Sequence, residues 1–253
     1  MEKGSIDMRY YNLASDPGIC WGLVSDDSSG FCCSNARAVS VALSTVRDCF
    51  LDTFGAEIVN SHPKLAIIST SDIPMTLRKL DLIALSAKGS CYSQQIFQFS
   101  HELCHFMIPG DVCDPYRWWE ETLCEMMSWY ALHWVSTHLE RYVQHYFFPP
   151  ADELSGYIAD DQSSRFVAEG NIPAFLSLNL PRLREDPYDR ASNHTVAYAI
   201  YPLFLRSPEL WRIVPELSGL SPDLPLREAL SQLCLSAAVP HSLCDQLIQA
   251  LCE

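Results

Sequence analysis

The stretch Phe97-Gln98-Phe99-Ser100-His101-Glu102-Leu103-Cys104-His105-Phe106 constrains the chain more than any other. It contains H-E-x-x-H, none of its other residues is charged, and neither Pro nor Gly interrupts it. On a helix, residues four apart share a face, so His101 and His105 can offer two imidazole nitrogens to one metal ion. Glu102 is turned about 100° from His101 around the helix axis. That puts it beside the ion rather than on it, where a general base for an attacking water belongs. Without an ion, the same pattern describes a buried helix with two hydrogen-bonded histidines.

The motif helix is expected to start near Ser93 as N-cap and to stop at Pro109-Gly110-Asp111. A second helix then begins near Tyr116 and continues through Trp118-Trp119-Glu120-Glu121-Thr122-Leu123-Cys124-Glu125 to about His138. The short connection predicts antiparallel neighbours. Catalytic zinc usually takes three protein ligands and keeps a fourth position for water, and a carboxylate from the second helix would complete the set. Glu121 and Glu125 are four apart and share a face, while Glu120 points about 100° away. Glu121 is the expected ligand and Glu125 the group behind it that orients a ligating His; the reverse assignment also fits the spacing. A solvated acidic first turn is the plainer explanation of all three. The apolar bulk of Trp118, Trp119, Leu123, Met126, Met127, Trp129 and Tyr130 speaks against it, because carboxylates buried among such residues need a partner.

At these residues the chain resembles the gluzincin class of zinc metallopeptidases, which carry H-E-x-x-H on one helix and a glutamate ligand on the next. Trp118-Trp119-Glu120-Glu121-Thr122 is similar to the W-L-x-E-G pattern of the aminopeptidase branch, which again selects Glu121. Thr122 replaces the Gly, the gap from His105 to Glu121 is shorter than in that branch, and there is no G-x-M-E-N segment. The resemblance covers residues 64–135. It implies one Zn2+ per chain held by His101, His105 and Glu121, with Glu102 as base and a peptide or protein substrate. It also implies an α+β, zincin-like fold: a small N-terminal sheet with the active-site helix, and a largely helical C-terminal half.

Composition bounds the alternatives. The chain has 253 residues, 48% of them hydrophobic, which suffices for one large domain or a domain with a helical extension. The net charge of −14 argues against nucleic-acid and acidic-membrane partners. No long apolar run suggests a membrane span, and Met1-Glu2-Lys3-Gly4-Ser5 lacks the apolar core of a signal peptide, so a cytoplasmic location is expected. Eleven cysteines with no C-x-x-C pair are expected to be mostly free and buried. Cys104 points off the ligand face and reads as core. Cys113, between the two helices, could approach the ion.

In chain order, Met8–Tyr11 and Cys20–Val24 read as short strands, Asp26–Gly30 as a loop, and residues 36–54 as a helix capped by Gly55. Lys64–Thr70 and Leu80–Ala87 read as strands. By the zincin resemblance the second of these lies at the sheet edge, so Ile83, Ala84, Leu85, Ser86 and Ala87 would line the substrate groove; an ordinary core strand fits the sequence equally. Residues 139–147 are expected to continue as helix up to Pro149-Pro150. Helices are then expected near 152–159, 163–179, 193–206, 208–217, 224–236 and 240–252. This gives a metal-bearing lobe over 1–138 and a helical lobe over 139–253, or one continuous domain.

The C-terminal half can also supply a group that meets a developing oxyanion. His194, at the start of an apolar helix, resembles the second-lobe His of thermolysin-like enzymes; helix capping by Ser192 or Asn193 with an exposed His194 is the plainer alternative. Tyr188 and Arg190 are weaker candidates. Other functions remain compatible with the sequence: a regulatory zinc-binding protein in which Glu102 is idle, a hydrolase of a non-peptide amide, a protease domain restrained until a partner or processing releases it, or a Cys nucleophile paired with His194.

Overall fold

A computed structural model describes residues 9–25, 35–70, 72–142, 145, 148–164 and 171–253. The expected loop at Asp26–Gly30 lies outside them. The architecture is mixed α+β. Contacts divide the chain into two compact units, Met1–Phe106 with Ala131–Ile158, and Met107–Tyr130 with Ala159–Glu253.

The first unit holds the sheet. Strands β1 (Arg9–Asn12), β2 (Cys20–Ser25), β3 (Lys64–Ser69), β4 (Met75–Leu77) and β5 (Leu82–Leu85) stand in the order β1-β2-β3-β5-β4. The three central strands are parallel, with Trp21 opposite Leu65 and Ile67 opposite Ile83. Both outer strands run antiparallel. Trp21, Leu23, Ile67, Ile83 and Leu85 share one face of the sheet and are all fully buried, while Ala66 and Ile68 on the opposite face are half-buried. A crossover of α1 (Ala36–Phe54) and the short α2 (Ala56–Asn60) links β2 to β3. In α1, Val39, Leu43, Val46 and Phe50 form the buried stripe, and Gly55 ends the helix at φ 84°, a conformation open to Gly without steric cost.

The expected strand Leu80–Ala87 is shorter than the sequence suggests: residues 78–80 form a 3-10 turn and β5 begins at Leu82. Asp81 closes that turn in the left-handed region at φ 49°, which its short polar side chain tolerates. The edge position expected for this strand is corrected. The turn folds β4 back onto β5, pairing Thr76 with Ile83 and Leu77 with Leu82. Ile83 and Ala84 therefore have a strand on either side and cannot receive a substrate backbone, and among the described residues the sheet edge on that side belongs to β4.

Helix α3 (Tyr92–Phe106) carries the motif and packs on α1, β4 and β5 through Ile96, Phe99, Leu103 and Phe106. Ser93 is not its N-cap; it lies in the first turn and its Oγ donates to Glu153 Oε1 at 2.9 Å. Gln98 fixes the register of α3 against the strand that feeds it. Its Oε1 accepts from the backbone N–H of Ser86 at 3.1 Å and of Ala87 at 2.9 Å, while its Nε2 donates to Ser86 Oγ at 3.0 Å.

Helix α4 (Arg117–Thr137) matches the second expected helix, preceded by a 3-10 turn at Asp114–Tyr116. Residues 139–142 are 3-10 rather than α-helical, and 143, 144, 146 and 147 lie outside the described residues. Then follow α5 (Ala151–Ser164), α6 (Ile172–Glu185), α7 (Arg190–Arg206), a 3-10 segment over Pro208–Gly219, α8 (Leu226–Ser236) and α9 (His241–Cys252). Of the expected helix at 163–179, residues 165–170 lie outside the described residues, and α6 begins at Ile172 with Asn171 as its cap. In the second unit Trp211 anchors an aromatic cluster, its ring centroid 5.3 Å from Tyr130 and 4.9 Å from Phe204. No described helix is long and apolar enough to cross a membrane.

The cysteines described are free thiols. Cys49, Cys104, Cys124, Cys234 and Cys244 are buried, behaving as small apolar side chains. Burial pushes the Cys49 thiol far up, and burial with a hydrogen bond donated to Cys244 pushes Cys234 up to about 12.

Candidate metal centre

The centre is built from two helices. On α3, one turn of helix brings His101 and His105 together with their Nε2 atoms 3.3 Å apart. Two nitrogens each about 2.0–2.1 Å from one tetrahedral ion stand about 3.3–3.4 Å apart, so this spacing suits a shared ion. It equally suits a proton shared between the rings. The rings are half-buried and set at 67° to each other. Among the described residues, His101, His105 and Glu121 form one of the two groups that could hold a metal ion. Two imidazoles and a carboxylate form a donor set that fits a divalent transition metal.

Glu102 is 6% exposed. Its Oε2 accepts from the hydroxyl of Thr76 at 2.8 Å, and the same hydroxyl lies 2.7 Å from the Glu102 backbone oxygen. One residue past β4, at the start of the 3-10 turn, Arg78 Nε donates to the His105 backbone oxygen at 2.8 Å. The short strand β4 and the 3-10 turn after it thus each support the motif turn at one point. A three-residue strand has too few residues to show an alternating pattern, and nothing in Met75-Thr76-Leu77 marks it in the sequence.

Glu125, one turn beyond Glu121, bonds a different histidine from the two on α3. His194 Nδ1 lies 3.1 Å from Glu125 Oε1, and its Nε2 lies 3.2 Å from the backbone oxygen of Gln162. His194 is completely buried, with its ring edge-on to Trp129 at 5.1 Å. Asp161 sits beside this pair and accepts from Trp129 Nε1 at 2.9 Å. Glu125, Asp161 and His194 form the second group among the described residues that could hold an ion. The cap of α7 is Asp189, whose side chain accepts from Ser192 N–H and Oγ. Neither Ser192 nor Asn193 caps it, and His194 falls in a buried run from Ser192 to Ala197. His194 is thus neither exposed nor presented to a substrate, whereas Tyr188 and Arg190 are exposed.

Removing this ring leaves the Glu125 carboxylate and the Gln162 carbonyl without their His194 partner and opens a cavity beside Trp129. His194→Ala is expected to lower unfolding free energy by about 3 kcal/mol. Urea unfolding followed by tryptophan fluorescence measures it, and a loss below about 1 kcal/mol would show that the pair holds little.

Cys113 belongs to neither group. Its Sγ donates to the backbone oxygen of Leu220 at 3.4 Å, and burial, assisted by Asp114, raises its pKa, so the thiol stays protonated. Cys104 is fully buried, as its position off the ligand face implies.

No protein family matches the chain, and comparisons with curated proteins and with solved structures return no significant match.

Proposed function

We propose that the protein is a zinc-dependent hydrolase of peptide bonds. The observation that supports it is the pair of imidazoles on α3, His101 and His105, with their Nε2 atoms 3.3 Å apart, and Glu102 one residue along the helix from the first. His101, His105 and Glu121 would hold the zinc. When bound there, zinc acts as a Lewis acid and makes a water acidic enough to attack at neutral pH. The Glu102 carboxylate accepts the proton of the attacking water and returns it to the leaving nitrogen. Peptide rather than another amide follows from the resemblance to gluzincins and from the place of β4 at the sheet edge among the described residues, to which an extended backbone can add as a further strand.

Elemental analysis of the purified chain, joined to turnover of a quenched fluorescent peptide library, tests this. About one zinc per chain and cleavage abolished by 1,10-phenanthroline are expected. Absence of zinc after reconstitution, or zinc without chelator-sensitive cleavage, would sink the proposal.

A further inference from the structure

We infer that Thr76, on the edge strand β4, is a positioning residue that sets the rotamer of Glu102; the inference rests on the zinc-hydrolase proposal above. A glutamate has three rotatable side-chain bonds, and a general base must be held within hydrogen-bond reach of the proton it takes. Glu102 is nearly buried, and the Thr76 hydroxyl bonds its carboxylate. The hydroxyl has one proton and two acceptors, the carboxylate Oε2 at 2.8 Å and the backbone oxygen of the same residue at 2.7 Å. The carboxylate is the stronger acceptor because it is charged. Donation to Oε2 ties one carboxylate oxygen to the sheet, which leaves Oε1 as the oxygen that faces the proton to be moved. The tie comes from β4 itself, the strand whose outer edge would receive a substrate backbone. One short strand thereby sets both the base and the backbone it acts on.

Two features separate this from ordinary packing. Thr76 meets Glu102 through its hydroxyl, so Thr76→Val keeps the shape and deletes the donor, whereas Thr76→Ser keeps the donor. A glutamine at 102 keeps an acceptor for Thr76 but cannot take the probe's proton, so the effect of Thr76→Val on probe affinity should vanish there.

The experiment uses the full chain reconstituted with zinc, with acetohydroxamate as a probe. This compound binds zinc and presents an O–H that a correctly placed Glu102 carboxylate accepts, so its affinity reports on the base without any knowledge of the natural substrate. Zinc content and acetohydroxamate affinity are measured for wild type, Thr76→Val, Thr76→Ser, Glu102→Gln and Glu102→Gln/Thr76→Val. Zinc content is expected to be equal throughout. Thr76→Val should weaken acetohydroxamate binding about tenfold, Thr76→Ser should restore it, and in the Glu102→Gln background Thr76→Val should have no further effect. Equal weakening by Thr76→Val in both backgrounds would reduce Thr76 to a packing role. Unchanged affinity in Thr76→Val with zinc retained would overturn the inference and leave the hydrolase proposal standing. A wild type that takes up no zinc would overturn both.

Discussion

Glu102→Gln leaves zinc bound and lowers peptide hydrolysis by roughly 10²–10⁴-fold, the usual contribution of a positioned acid–base group. The substitution keeps the size of the side chain and its acceptor for the Thr76 hydroxyl at 2.8 Å, but an amide cannot take the proton of the attacking water. Because Glu102 is not among the three candidate ligands, the metal should stay. Parallel zinc analysis and kinetics on the variant decide the matter. A variant as active as wild type would make Glu102 a structural residue and turn the ion, if bound, into a structural one. A variant that loses activity and zinc together would mean that Glu102 takes part in holding the ion.

Glu121→Ala is expected to weaken zinc binding by more than about 100-fold, the upper range for losing a residue that merely orients a ligand. Glu125→Ala, one turn away, should keep the metal. The contrast follows from where the two carboxylates point. Glu121 groups with His101 and His105, whereas Glu125 meets His194 at 3.1 Å. Competition against a zinc-binding dye gives both affinities. Retention of zinc in Glu121→Ala with its loss in Glu125→Ala would exchange the two assignments.

The two helices of the centre were legible because both run long and uninterrupted, and because H-E-x-x-H depends only on helical period. Helix α1 and strands β2 and β3 were legible too, α1 by its three-four apolar spacing and the strands by their short apolar runs. Strand β4 was not. It spans only Met75–Leu77, and its turn closes on Asp81 at φ 49° without the Gly or Asn-Gly that usually signals a hairpin. Missing β4 placed the sheet edge one strand too far in, at Ile83–Ala87, and hid Thr76. Asp161 was hidden differently, inside the polar run Asp160-Asp161-Gln162 that reads as a solvated helix end. The burial of His194 leaves little mark in the sequence: with Asp189 as cap, it follows the exposed Arg190 and Ala191 and lies inside the buried face. Partners brought together from distant segments, as Glu125 and His194 are, leave no periodic trace.

The buried thiols give the molecule an internal clock for its own opening. A thiolate is the reactive species in alkylation and disulfide exchange, and burial holds Cys49 and Cys234 in the thiol form. Labelling at these positions must wait until the surrounding structure opens. Cys49 and Cys104 lie in the first unit, and Cys124, Cys234 and Cys244 in the second. The order in which they acquire label therefore resolves the stability of each unit separately, with no probe added to the chain.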